Sequence, residues 1–370
     1  MPTPVYRRFR NQTLLLDQAA PLPVLNVGML LTNEPVTDTT IRHISVTADD
    51  WTDTVTEATH PIAYEWLSAY FGQELKPETA VLIYYDDTPT TGDADPSAAL
   101  QDADDKLAEW YFGCYFDNAD TAIASQTNFA QWIQAQPVER QGMLLTNDTN
   151  AYVVGTGTDI GSQIRGLSYS RTSVIFHPTG TVNEKDLTKN RPDAAIVGRM
   201  MPTYPETGGI FEQWDYKTIA GSFDSGLSAA QQTALVDKGY NFVETFANTA
   251  FTHVFKGRSC TGREIRLQWA ADWFDANVQA SLANYAFRNP LMAFDQETFS
   301  DVEAIYLDWG QRTIDRRVLT NFTVNMPDPD TIPASVRVTG KASLNDLYLG
   351  TLNSAIDEWS VTGKWVLGGV

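Results

Sequence analysis

Short, unbroken apolar runs alternate with amphipathic stretches along the first half of the chain. The runs cover 24–31, 81–85, 111–116, 143–146 and 172–176. Apolar runs this short, bounded by polar and turn residues, suit strands buried on both faces. Between them, helical spacing of apolar positions predicts helices near 61–71, 98–110, 121–135, 158–167 and 192–201. Strands alternating with helices of this length predict an α/β layer on a mostly parallel sheet. The stretch 88–96, TPTTGDADP, reads as an exposed, turn-rich loop.

After about 202 the pattern changes. A helix is predicted over 227–238, then a hairpin over 241–246 and 252–255. Ile265, Trp269, Trp273, Val278, Leu282 and Tyr285 recur near the 3.6 period and predict a long helix over 263–287. A second helix over 300–318 carries Val302, Ile305, Trp309 and Ile314 on one side. The end reads as strands at 336–339, 347–352 and 358–367. Four units follow: an extended arm over 1–20, an α/β domain over 21–201, an α+β domain over 202–355, and a closing strand or arm over 356–370. Pro2, Pro4, Pro21 and Pro23 disfavour helix around the first arm.

Charge narrows the partners. The formal net charge is −20, from 46 acids and 26 bases. Phosphate binding needs clustered Lys and Arg, so nucleic acid is not an expected partner. Docking on anionic lipid is disfavoured for the same reason. Ten of the acids fall within 86–120 against one base, Lys106, which reads as a solvated face. Residues 1–10 invert this balance, with Arg7, Arg8 and Arg10 and no acid. No apolar run approaches the 18 residues of a spanning helix, and Leu14, Leu15 and Leu16 are too brief for a signal-peptide core. Cys114 and Cys260 stand far apart, with no disulfide framework, which fits a reducing compartment.

The chemistry of an enzyme is hard to find in these residues. The Gly155–Gly161 stretch, GTGTDIG, resembles a dinucleotide loop but has one residue too many before its last glycine. His43, His60, His177 and His253 are dispersed, with no pair at zinc spacing. Asp93, Asp95, Asp102, Asp104 and Asp105 lack the ligand spacing of a calcium loop. No GxSxG elbow occurs. The sequence therefore calls for no catalytic residue, metal or cofactor.

A set of motifs points elsewhere. EWYFGCYFDNADTAIASQTNFAQWIQA is followed by GMLLTN, SQIRGLSYSRTSVIFHP, DAAIVGRMMP, KGYNFVETF and GREIRLQWAADWFDANVQ. Their order and spacing resemble a family of phage tail-sheath-like proteins, formerly of unknown function. The matching positions are Trp110, Tyr111, Trp132, Arg171, Thr172, Ala194, Ala195, Gly198, Arg199, Tyr240, Asp272, Trp273 and Gln279. Where a longer glycine-bearing helix and loop would stand, this chain has the tighter DWGQRTIDRRVLTNF.

The resemblance implies a structural subunit of a contractile phage tail sheath in the virion, assembled in the host cytoplasm. Copies would form six-fold rings stacked helically around a tail tube protein, meeting baseplate and tail terminator proteins at the ends. Contraction would drive the tube through the host envelope. The α/β domain would lie outside and the α+β domain inside, against the tube. Neighbours would be tied by their arms, which makes Tyr6, Arg7, Arg8, Phe9, Arg10, Leu14, Leu15 and Leu16 candidate contacts. In the closing strand Trp359, Val361, Trp365 and Leu367 share one face and are candidates too. An ordinary terminal strand of the subunit's own sheet would show the same alternation. Arg312 and Arg316, four apart on one helix face, and Arg317 beside them are candidate tube contacts. An Asp308–Arg312 pair along the helix is the competing explanation. Other readings are a tube or baseplate subunit, which the two long helices count against for a tube, and a small-molecule-binding α/β enzyme.

Overall fold

The computed structural model of the protein describes residues 25–34, 43–85, 96–105, 109–116, 123–136, 139–178, 181–182, 185–186, 190–204, 210–245, 251–289, 291–339 and 347–353. Both arms, the loop at 86–95 and the closing strand at 358–367 lie outside them, and with these every candidate arm contact. The first elements are β1 (Gly28–Thr32), β2 (His43–Thr47), α1 (Trp51–Thr54), α2 (Pro61–Phe71), β3 (Thr79–Tyr84) and α3 (Pro96–Asp105). Then come β4 (Phe112–Phe116), α4 (Ile123–Ala135), β5 (Gln141–Thr146), α5 (Ile160–Gly166) and β6 (Thr172–Phe176). A two-residue ladder, β7 (Thr181–Val182) and β8 (Lys185–Asp186), leads to α6 (Pro192–Met200), α7 (Ala229–Asp237), β9 (Tyr240–Thr245) and β10 (Thr252–Phe255). The chain continues with α8 (Ile265–Arg288), α9 (Gln296–Asp315), β11 (Leu319–Val324), α10 (Ala334–Thr339) and β12 (Tyr348–Leu352).

Eight strands make one sheet in the order β10-β9-β6-β5-β4-β1-β3-β2. From β3 through β1, β4, β5 and β6 to β9 all neighbours are parallel. The antiparallel β2 and β10 close the two edges. Alternate residues of the inner strands face opposite cores. Leu30, Leu82, Phe112, Met143, Ile175 and Val243 meet α2, α6 and α8 on one side. Met29, Leu31, Val81, Leu144, Val174 and Phe242 meet the layer of α3, α4, α5 and α7 on the other. Helices on both faces leave a parallel strand no polar side, which is why these strands appear as unbroken apolar runs. The fold is α/β, and its sheet runs across position 202, because β9 and β10 join it.

Gly198 explains the small-residue AAIVGR stretch. A Cβ there would lie 2.1 Å from the Tyr70 carbonyl oxygen, so only glycine lets α6 pack this closely on α2.

Two predicted elements need correction. Residues 336–339 belong to a short helix, α10, rather than a strand. Their β-branched residues favour a strand only where a sheet edge is there to pair with, and Pro333 just before the helix needs no N–H there. The second long helix ends at Asp315 instead of 318, because Arg317 turns into the left-handed region at φ 59°.

Candidate functional site

After the sheet, α8 and α9 form a helical hairpin that carries the β11–β12 ladder. Asp295 starts α9 by accepting from the Thr298 N–H at 2.9 Å. Trp273 of α8 meets Trp309 of α9 edge-on at 5.3 Å, and the Trp309 Nε1–H donates to Ser281 Oγ. β11 lies hard against α9 because Gly310 has no side chain. A Cβ there would fall 2.0 Å from the Phe322 ring. Phe274, Phe322 and Tyr348 pack together, their ring centroids 5.3–5.5 Å apart.

Among the described residues β11 and β12 are a sheet of two antiparallel strands. Its exposed residues mix apolar and polar: Tyr348 is 42% exposed, Leu349 72% and Leu352 50%, beside Thr320, Asn321, Thr323 and Thr351. Between it and α8 runs a groove of about 290 Å³. Leu267, Phe274, Val318, Phe322, Tyr348 and Leu352 line it, with Arg171 and Asp272 among its polar groups.

A buried polar network welds this platform to the sheet. Three consecutive parallel strands bring Tyr111, Gln141 and Arg171 to their N-terminal ends, side by side. Arg171 makes a two-pronged ion pair with Asp272 of α8, at 2.7 and 2.8 Å. The Tyr111 hydroxyl donates to the same carboxylate at 2.8 Å, and Gln268 Nε2 does so at 2.9 Å. Gln141 Nε2 in turn donates to the Tyr111 hydroxyl at 2.7 Å. Burial disfavours the Arg171 charge, and the Asp272 carboxylate more than offsets it, so its pKa is raised.

Sequence reading singled out Tyr111, Arg171 and Asp272 as motif letters without a role, and missed Gln141 and Gln268 altogether. A signal was present. Tyr111, Gln141 and Arg171 follow each other at steps of 30 residues, the length of one strand–helix–strand unit, which brings them to the same ends of neighbouring strands, within one residue of equal height.

The three arginines are differently placed. Arg312 pairs with Asp308 at 3.0 Å, with its guanidinium 4.5 Å from the Trp309 ring centroid. Arg316 lies 4.6 Å from the Trp273 ring centroid, and its pKa is lowered by burial and by Arg312. Arg317 is exposed, and its backbone carbonyl accepts from Arg266 Nη1 and Asn353 Nδ2.

The places where an α/β fold takes a small anionic ligand are filled by the chain's own acids. In such folds the site is the crevice beyond the strand C-termini, where the connections diverge, with a helix N-terminus facing the ligand. Here that divergence falls at β1. Glu34 follows this strand, and its carboxylate accepts from the Ile62 and Ala63 N–H groups that open α2. Burial raises the Glu34 pKa despite those bonds. At the GTGTDIG stretch, Asp159 accepts from the Ser162 N–H and pairs with Lys238 at 2.8 Å. The Tyr240 hydroxyl donates to Asp159 and accepts from the Gly161 N–H. An anion there would meet a carboxylate.

Burial also pushes the thiols up, Cys260 to about 12, which leaves them protonated and unreactive at neutral pH. Among the described residues no group of His, Cys, Asp and Glu is arranged to hold a metal ion. No described helix is long and apolar enough to cross a membrane.

His177, just past β6, is buried, with Nδ1 3.3 Å from Ser225 Oγ. Burial pushes its pKa down to about 4, against the pull of the Asp193 charge. The unfolded chain therefore takes up this proton first as pH falls. Its contribution is complete above about pH 6.5 and is lost progressively down to about 4, at roughly 1.4 kcal/mol per pH unit. Thermal melts of His177→Gln should show a shallower decline than the parent between those pH values. Equal slopes would contradict the assignment.

No protein-family model matches the chain. No curated protein matches it by sequence. Solved structures do. One is a chain of the cryo-EM structure of the anti-feeding prophage baseplate, six-fold symmetrised, at a TM-score of 0.65 and 15% identity, over 97% of this chain and 99% of that one. Another is from the anti-feeding prophage helical sheath in its contracted state, at 0.64 and 15% identity, over 96% and 99%. A third is a sheath tail protein from Listeria innocua, at 0.51 and 10% identity, over 80% and 86%. The chain has the fold of contractile tail sheath proteins over nearly its whole length.

Proposed function

We propose that the protein is a structural subunit of a contractile tail sheath, polymerising in stacked six-fold rings around a tail tube. The observation that carries this is the β11–β12 ladder. Among the described residues it is a two-stranded sheet that leaves Tyr348, Leu349 and Leu352 open to solvent. A two-stranded ladder is marginal alone, and an exposed edge is a template for another strand. An arm from a neighbouring copy adding a strand there gains backbone hydrogen bonds, while exposed Tyr348, Leu349 and Leu352 offer apolar contact to its side chains. Such a contact is head-to-tail, so it propagates into a helical polymer rather than closing as a dimer.

The near full-length likeness to a helical sheath chain supports the same reading. Contraction then draws on free energy stored in the lattice, with neither nucleotide nor metal consumed, and drives the tube through the host envelope. The protein belongs in the virion tail, assembled in the host cytoplasm, with tube, baseplate and terminator proteins as partners. The likeness to a baseplate structure favours, as a second reading, a subunit seated at the baseplate end of the same tail.

Size exclusion with negative-stain microscopy of purified protein tests the reading. Long rods are expected for a sheath and short rings for a baseplate subunit. A clean monomer with a tightly bound small molecule would support the enzyme instead.

Tube contact by Arg312, Arg316 and Arg317 belongs to this proposal. Reversing Arg312 and Arg316 to Glu should abolish co-sedimentation with purified tube while rods still form. Binding of the parent should weaken as salt rises. If Arg312 serves only its pair with Asp308, the cost is at most about 0.5 kcal/mol of helix stability and tube binding survives.

A further inference from the structure

We infer that Arg266 and Trp269, three residues apart on α8, are positioning residues that set where the two chain ends leave the subunit for their neighbours. The inference rests on the arm-exchange reading above.

At the C-terminal end, Asn353 is held from three directions. Its N–H donates to the Val318 carbonyl at 2.7 Å, and its Nδ2 donates to the Arg317 carbonyl at 3.1 Å. Its own carbonyl accepts from Arg266 Nη2 at 2.7 Å. Arg266 is 6% exposed, and it also donates to the Arg317 carbonyl and to Glu264. The common acceptor is a residue at φ 59°, a conformation costly for any side chain but glycine. That turn aims one carbonyl at both Arg266 and Asn353. A strained residue that is not glycine, held where a buried guanidinium meets Asn353 just after β12, fixes the chain at that point.

The N-terminal end is rooted on the same helix. Leu25 is buried, and its carbonyl accepts from the Trp269 Nε1–H at 2.9 Å. Trp269 is fully buried among the rings of Tyr111, Tyr204, Phe211 and Trp214, all within 6.4 Å. It cannot follow the chain if the first arm pulls. Leu25, just before β1, and Asn353, just after β12, are therefore held by side chains less than one helical turn apart on α8. The rigid α8, welded to the sheet through Asp272, fixes both exits relative to each other.

The measurement is the critical concentration for rod assembly, read beside the melting temperature of the unassembled subunit. Arg266→Met removes the donors while keeping most of the packing, and Trp269→Phe removes the indole N–H. Each should raise the critical concentration at least tenfold at temperatures where the unassembled subunit is still folded, with Arg266→Met also melting lower because buried Glu264 loses its ion pair with Arg266. Arg266→Lys, which keeps a donor for the Asn353 carbonyl, should return to within threefold. A merely structural role would lower melting and leave the still-folded subunit assembling at the parental concentration. Should Arg266→Met fail to fold, Asn353→Ala removes the bond to Arg317 from the other side and should raise the critical concentration at least threefold. Folded variants that assemble at the parental concentration overturn the inference and leave the sheath reading standing. A parent chain that forms no polymer overturns the sheath reading and this inference with it.

Discussion

Replacing Asp272 by Ala lowers the unfolding free energy by about 3–5 kcal/mol, the cost of leaving a buried charge without its partner. The Asp272 side chain is 3% exposed and that of Arg171 19%. Without the carboxylate, Arg171 keeps its charge at a largely buried position with its ion-pair partner gone, and the Tyr111 hydroxyl loses its acceptor. At about 2–4 °C per kcal/mol for a large domain, the melting temperature should fall by roughly 10 °C. The cost is one of broken pairing, so removing both charges should restore much of it. Arg171→Met with Asp272→Leu is expected to unfold closer to the parent than Asp272→Ala does. A double-mutant cycle in urea measures this, and simple addition of the two single costs would contradict the account.

Deleting residues 1–20 should abolish long rods while leaving the subunit folded. The 1–20 stretch is flanked by prolines and modest in apolar content, so the fold should lose little. The neighbour would lose a whole added strand. With about four backbone hydrogen bonds at about 1 kcal/mol each, the loss is near 4 kcal/mol per contact. At 1.4 kcal/mol per factor of ten, that is close to a thousandfold weaker association. Electron microscopy alongside thermal melting checks it. Normal rods from the truncated chain would remove arm exchange from the mechanism.

Much of the fold was legible because its strands are inner and parallel. Residues 172–176 were delimited as the structure has them, and the other four apolar runs each contain or overlap a strand. The helices at 61–71 and 263–287 were also readable, since each must bury an apolar stripe. What escaped were elements defined by a partner instead of a pattern. β2, HISVT, buries only Val46 and is a strand because β3 offers it an edge. β11, LTNFTV, has no fully buried residue and exists through β12 and Gly310. The network around Asp272 was invisible for another reason. Its members come from four separate stretches of chain, and only the stacking of parallel strands makes them neighbours.

The acidic stretch shows the same limit on the side of charge. Asp104 lies within it, yet it pairs with Arg140, a buried arginine whose guanidinium lies 4.1 Å from the Trp110 ring centroid. A run of acids predicts a solvated face, but a single member can still be drawn into a specific contact.

The central claim is that copies of this chain join through their ends onto the β11–β12 ladder. A helical cryo-EM reconstruction of polymers grown from the purified protein tests it most directly. The account predicts a continuous six-fold lattice in which a strand from another copy is hydrogen-bonded to the outer edge of β11 or β12. A lattice that leaves both edges bare, or a protein that stays monomeric at every concentration, would contradict it.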